Sequence, residues 1–120
     1  PRMEVTQPLA PIEFADFARV DIRAGTVTRA ESFPQARKPA LKVWVDFGPT
    51  LGVRQTSAQI TAAYTPEGLI GKTVLGCVNL GEKKIAGFTS QFLLLGLTDA
   101  AGAIRLASCD TAVQPGQRLH

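Results

Sequence analysis

The clearest alternation in the chain lies at Leu41–Phe47. Leu41, Val43, Val45 and Phe47 point one way and Lys42, Trp44 and Asp46 the other, the period-two pattern of a half-buried strand. Ile22–Phe33, rich in Thr, Val and Ile, predicts a strand before it. Gly25 inside that run predicts a bulge or a sharp bend. Val53–Ser57, Thr73–Leu80, Gln91–Leu97 and Ile104–Ala107 read as further strands, with turns at Gly48–Gly52, Asp99–Gly102 and Pro115-Gly116. Phe33–Pro39 is a loop bracketed by prolines.

Helical signals are brief. Ile12, Phe14, Phe17 and Val20 share one helical face, which predicts a short amphipathic helix over Ile12–Val20 with Pro11 in its first turn. Ala58–Tyr64 predicts a helical turn. Thr65 is placed to cap a second start, with Pro66 following. Pro1–Pro11 carries three prolines and little periodicity, and reads as an arm. The expected organisation is an arm at 1–11 and one domain at 12–120. Five or more short strands with a brief helical insertion fit a five-stranded Greek-key OB barrel, an all-β fold with short helices. A β-sandwich fits the pattern alone equally well.

Composition narrows the function. The 120 residues carry a formal charge of +3, which suits anionic partners and equally serves simple solubility. No apolar run approaches the roughly 18 residues that span a bilayer, and the N-terminus lacks a signal-peptide layout. A cytoplasmic protein without membrane insertion is expected. Cys77 lies in an apolar run and reads as a small core residue; Cys77 and Cys109 form no C-x-x-C pair.

Catalysis finds little support. The only histidine is His120, the last residue, so Ser57, Ser90 and Ser108 lack a base within the fold. Gly71-Lys72-Thr73 ends like a P-loop, but Pro66 stands where the first glycine belongs and a strand follows. No His/Cys/Asp/Glu cluster has metal-ligand spacing. No enzyme, metal or cofactor is expected.

Three basic features remain: Arg37-Lys38 in the Pro-bracketed loop, Arg54 at the start of Arg54-Gln55-Thr56-Ser57, and Lys83-Lys84, read as lying on a tight turn before Ile85. Lysine and arginine supply the phosphate term of nucleic-acid binding, and hydroxyl and amide side chains supply hydrogen bonds. Trp44, on the polar face of its strand, reads as packing beneath the helical arm or against a second subunit rather than as a base-stacking surface. Ile85 and Phe88 serve either as exposed groups for a peptide or as plugs of a barrel end.

The order and spacing of these pieces resemble the CsaA-type secretion chaperones and the tRNA-binding module appended to methionyl-tRNA synthetases. The residues that carry the resemblance are Asp21–Val27, Phe33–Arg37 with Pro39-Ala40-Leu41-Lys42, Asp46-Phe47-Gly48, Gln55–Thr61, Tyr64–Lys72, Val78-Asn79-Leu80 and Lys83–Phe88 with Ser90. The resemblance implies an OB barrel paired into a homodimer. It implies binding of tRNA-type RNA and of unfolded or exported polypeptides, as a non-enzymatic chaperone linked to protein export. The alternative is a structured-RNA binder without a chaperone role. By position it assigns RNA contact to Arg54, Gln55, Ser57, Asn79, Lys83, Lys84 and Ser90, beside Arg37 and Lys38 from the basic loop, and peptide contact to Ile85 and Phe88. Glu82 and Gln91 depart from the chaperone pattern. With no synthetase domain beside it, the chain reads as a free-standing module.

Overall fold

A computed structural model describes residues 7–120. The first six residues of the expected arm lie outside the described residues. In chain order the elements are α1 (Phe14–Ala18), β1 (Ile22–Ser32), β2 (Leu41–Asp46), α2 (Gly48–Leu51), β3 (Val53–Ala58), α3 (Pro66–Leu69), β4 (Thr73–Cys77), β5 (Lys83–Ile85), β6 (Phe88–Ser90), β7 (Leu93–Leu94), β8 (Gly96–Thr98) and β9 (Ile104–Leu106).

β3, β2, β1, β4 and β7 form one antiparallel sheet in that order. It curls until β3 meets the chain entering β7. There Gln91 N donates to Gln55 O at 2.8 Å, and buried Thr56 Oγ1 donates to Phe92 O at 2.7 Å. The result is a nearly closed five-stranded OB-type barrel, as the strand count predicts. Two hairpins, β5–β6 and β8–β9, stand outside the ladder. The C-terminal segment finishes the wall. β2 pairs with β1 only from Thr26 onward. The open edge before it is covered by residues 116–119, through Gly116 N to Ala24 O, Ala24 N to Gln117 O and Leu119 N to Ile22 O.

The core follows the alternation read in β2. Leu41, Val43 and Val45 are buried while Lys42, Trp44 and Asp46 are half-buried on the outer side. Val27, Phe47, Leu69, Val74 and Phe92 join them, and the rings of Phe47 and Phe92 meet edge to face at 5.0 Å. Each fully buried Val, Leu or Phe side chain contributes roughly 1.5–3 kcal/mol. Cys77 is buried with its thiol free. Thr65 caps α3 by accepting from Gly68 N at 3.1 Å, with Pro66 in the first turn.

Several expectations are corrected. α1 is one short turn and a half, opened by a capping box between Glu13 and Asp16, and Pro11 lies before it. Gly25 is not at a bulge. A Cβ there would fall 2.4 Å from Val45 Cγ1 and 2.9 Å from Asp46 O, so the glycine permits close approach of β2. The register shift of β1 comes later, between Val27 and Arg29. Gln91–Leu97 is not one strand. β7 pairs with β4, then Gly96 turns its backbone onto Arg105 to begin the β8–β9 hairpin.

Candidate nucleic-acid interface

The β5–β6 hairpin carries Lys83 and Lys84, both exposed, on a strand and not on its turn. The turn is Ala86-Gly87, where φ is 49° and 81°. Positive φ at both central positions matches the twist of a two-residue hairpin, and Gly87 adopts it without steric cost. A turn is expected in Lys83–Phe88, but its centre is displaced from the lysines to Ala86-Gly87, because alanine gives no signal for the left-handed region.

The hairpin is fastened to β3 largely by side chains. Strand alternation turns Gln55 and Ser57 outward on β3, toward β6. Gln55 Nε2 donates to Thr89 O at 2.9 Å, and Gln55 N donates to Gln91 Oε1 at 3.0 Å. Ser57 N donates to Ser90 Oγ at 3.0 Å, and the two hydroxyls lie 3.3 Å apart. Each such bond contributes about 1 kcal/mol net. Gln55, Ser57 and Ser90 therefore come together, and they hold the hairpin in place.

Beneath the hairpin lies an aromatic cluster. Phe88 meets Trp44 at 5.9 Å and Phe33 at 5.5 Å, both edge-on. Trp44 Nε1 donates to Gln55 Oε1 at 3.2 Å. Trp44 thus packs under this hairpin, where the helical arm was one expectation. Phe88 is half-buried by the same contacts, and Ile85, its partner across the turn, is half-buried too. Two cations sit on the rings. Lys42 Nζ lies 4.8 Å from the Phe33 centroid and 5.0 Å from that of Phe88; Arg29 Cζ lies 4.2 Å over Trp44. The loop bearing exposed Arg37 and Lys38 springs from Phe33 and is closed at its base by Phe33 N to Ala40 O. Loop and hairpin thus meet at the Phe33–Phe88 contact.

Arg29 and Lys42 were not singled out as site residues from the sequence. Lys42 had a readable signal, since it shares the outer face of β2 with Trp44. Arg29 reaches Trp44 only through the register shift in β1, which nothing local announces.

Arg54 and Asn79 belong elsewhere. Alternation on β3 turns Arg54 away from Gln55 and Ser57, and its Nη1 donates to Val78 O at 3.3 Å. Asn79 ties the lead-in of β1 to the end of β4: its Nδ2 donates to Arg19 O at 2.7 Å and its Oδ1 accepts from Asp21 N at 3.0 Å. At this barrel end, the hydrogen bond from Arg23 Nε, 2.6 Å away, holds the Asp21 carboxyl below its usual range. Partial burial opposes that shift, and the charges of Arg23, Arg118 and Arg54 reinforce it. The predicted basic set therefore divides into a hairpin-and-loop group and a barrel-end group.

A small β-barrel with a cation-edged aromatic face under an anchored hairpin is a binding module of the OB class. Residues 22–118 match the family described as putative tRNA binding domain, and the chain belongs to that family. It is 40% identical over 110 residues to a methionine–tRNA ligase of Bdellovibrio bacteriovorus, covering 92% of this chain and 16% of the ligase. A methionine–tRNA ligase of Methanosarcina acetivorans is 35% identical over 114 residues, again covering 16% of the ligase. The chain thus spans about a sixth of the length of these curated relatives. Among solved structures, the chaperone CsaA of Bacillus anthracis superposes with a TM-score of 0.86 at 43% identity, over 92% of this chain and 100% of that one. A MetRS-related protein of Pyrococcus horikoshii gives 0.81 at 28% identity, over 93% and 100%.

Proposed function

We propose that this chain binds structured RNA of the tRNA type, as a cytoplasmic homodimer, through the β5–β6 hairpin, the Arg37-Lys38 loop and the aromatic face between them. The observation that carries the reading is the pair of exposed lysines on a hairpin that Gln55, Ser57 and Ser90 fix against the barrel. A hairpin already held in place leaves only the lysine side chains to order on a phosphate backbone, and flanking hydroxyls and amides add hydrogen bonds. Membership in a tRNA-binding family supports the choice of RNA. Arg54 and Asn79 enter as supports of the barrel end, close to the same β3 and β4 strands.

A second reading is favoured by the likeness to CsaA chaperones. In it the half-exposed Ile85 and Phe88 offer apolar contact to unfolded or exported polypeptides. One experiment separates the two. Labelled tRNA is titrated at rising salt beside an assay of client aggregation. RNA capture falls steeply as counterion release weakens, whereas apolar peptide capture persists. No tRNA binding even at low salt rules out the first reading.

The homodimer is supported by α1. Phe14 in its first turn is 80% exposed, and Ile12 and Leu9 in the segment before it are 70% and 76% exposed. Several exposed apolar side chains within one short segment mark a candidate association surface. A second copy would cover it by twofold pairing. Sedimentation is expected to give a dimer at micromolar concentration and a folded monomer for Phe14→Ser. A monomeric wild-type protein would contradict the pairing.

A further inference from the structure

Trp44 carries an arrangement that phosphate-binding lysines do not require. Its indole is fixed from two sides, by the hydrogen bond to Gln55 and the edge of Phe88. Its face is taken by the guanidinium of Arg29, 4.2 Å from the ring centroid. Arg29 in turn gives its Nε and Nη2 to one carboxylate oxygen of Glu31. That pairing holds the in-plane edge of the group. The Arg29 side chain nonetheless remains 60% exposed. With Cζ over the indole and one edge held by Glu31, that exposure falls to the side of the group away from Trp44.

The backbone makes a specific provision for this. Val27 pairs with Val45, and regular pairing would place Thr28 opposite Trp44. The register shift skips Thr28 and brings Arg29 there instead. A bulge that re-aims one side chain beside a binding face is a recurring functional device.

We propose that the outer face of Arg29, backed by Trp44, is a stacking surface for one unpaired nucleobase of single-stranded RNA. Unstacked bases settle on arginine planes as they do on aromatic rings, and such stacking tolerates any base because each has a π-face. Lys42, on the neighbouring rings, lies beside the site to meet the attached phosphate. The inference rests on the RNA reading above and adds to it the recognition of an unpaired base.

The protein has one tryptophan, so its emission reports on this site alone. The probes are a short fluorescein-labelled oligoadenylate and labelled tRNA, with binding followed by anisotropy and Trp44 emission followed with unlabelled RNA. Arg29→Lys keeps the charge and removes the plane. It is expected to lower oligoadenylate affinity about tenfold, with an unchanged near-ultraviolet spectrum showing that the fold persists. Wild-type Trp44 emission is expected to change on saturation. Unchanged affinity in R29K, or unmoved emission at saturation, overturns the proposal. Binding of tRNA with oligoadenylate ignored overturns stacking alone, whereas failure to bind either RNA overturns the RNA reading with it.

Discussion

Alanine at both Lys83 and Lys84 is expected to weaken tRNA binding by about tenfold or more at roughly 0.1 M salt. The dependence of log affinity on log salt should become shallower by about 1.5, since each phosphate contact contributes about 0.7–0.9 to that slope. Both side chains are exposed on β5, so the fold and its melting temperature should hold within about 0.5 kcal/mol. Loss of affinity without a change in slope would assign the effect to something other than phosphate contact. Lysines on a strand whose neighbour is pinned to β3 by Gln55, Ser57 and Ser90 keep a fixed place, unlike lysines at the tip of a loose turn.

Gly25→Ala is expected to destabilise the barrel by about 3 kcal/mol, because overpacking a fitted core costs roughly 1–3 kcal/mol and more where backbone is struck. The added Cβ meets Val45 Cγ1 at 2.4 Å, Asp46 O at 2.9 Å and Phe47 Cδ1 at 2.9 Å. One contact is main chain and the others belong to fully buried residues, so no flexible tip can move aside. Thermal unfolding should shift down by roughly 10–15 °C. A shift of only a few degrees would mean that β2 can slide away from β1, against the tight register seen between them.

Gly25 also shows where reading the sequence stops. A glycine in a strand signals either a bulge or a close neighbour, and the chain alone does not say which. The neighbour is β2, and its approach is a property of the curled sheet. The alternation at Leu41–Phe47 was legible because it is local: the same residues set both the strand and its buried side. The Thr65 cap was legible for the same reason. The break of Gln91–Leu97 into β7 and β8 was not, because the run looks uniformly apolar. Only pairing with β4 on one side and β9 on the other divides it.

The candidate site follows the same division. The lysine pair and the polar residues of β3 were visible as residue types, but their roles came from contacts distant in sequence. Gln55, Ser57 and Ser90 read as ligand-facing polar groups, and they also fasten the hairpin across 33 to 36 positions of chain. Arg54, one position from Gln55, faces the other way by strand alternation. It lies near the Asp21 carboxyl, which Arg23 and Arg118 also approach. The aromatic cluster was hidden further, since Phe33, Trp44 and Phe88 come from three separate segments.

The proposed docking of RNA on the hairpin face is checked by amide chemical-shift mapping of the labelled protein on adding tRNA. The largest changes are predicted at Lys42, Lys83 and Lys84, extending to Arg37 and Lys38. Changes confined instead to the shallow groove between Tyr64, Lys72 and Cys109, with the hairpin unmoved in the bound complex, would contradict it.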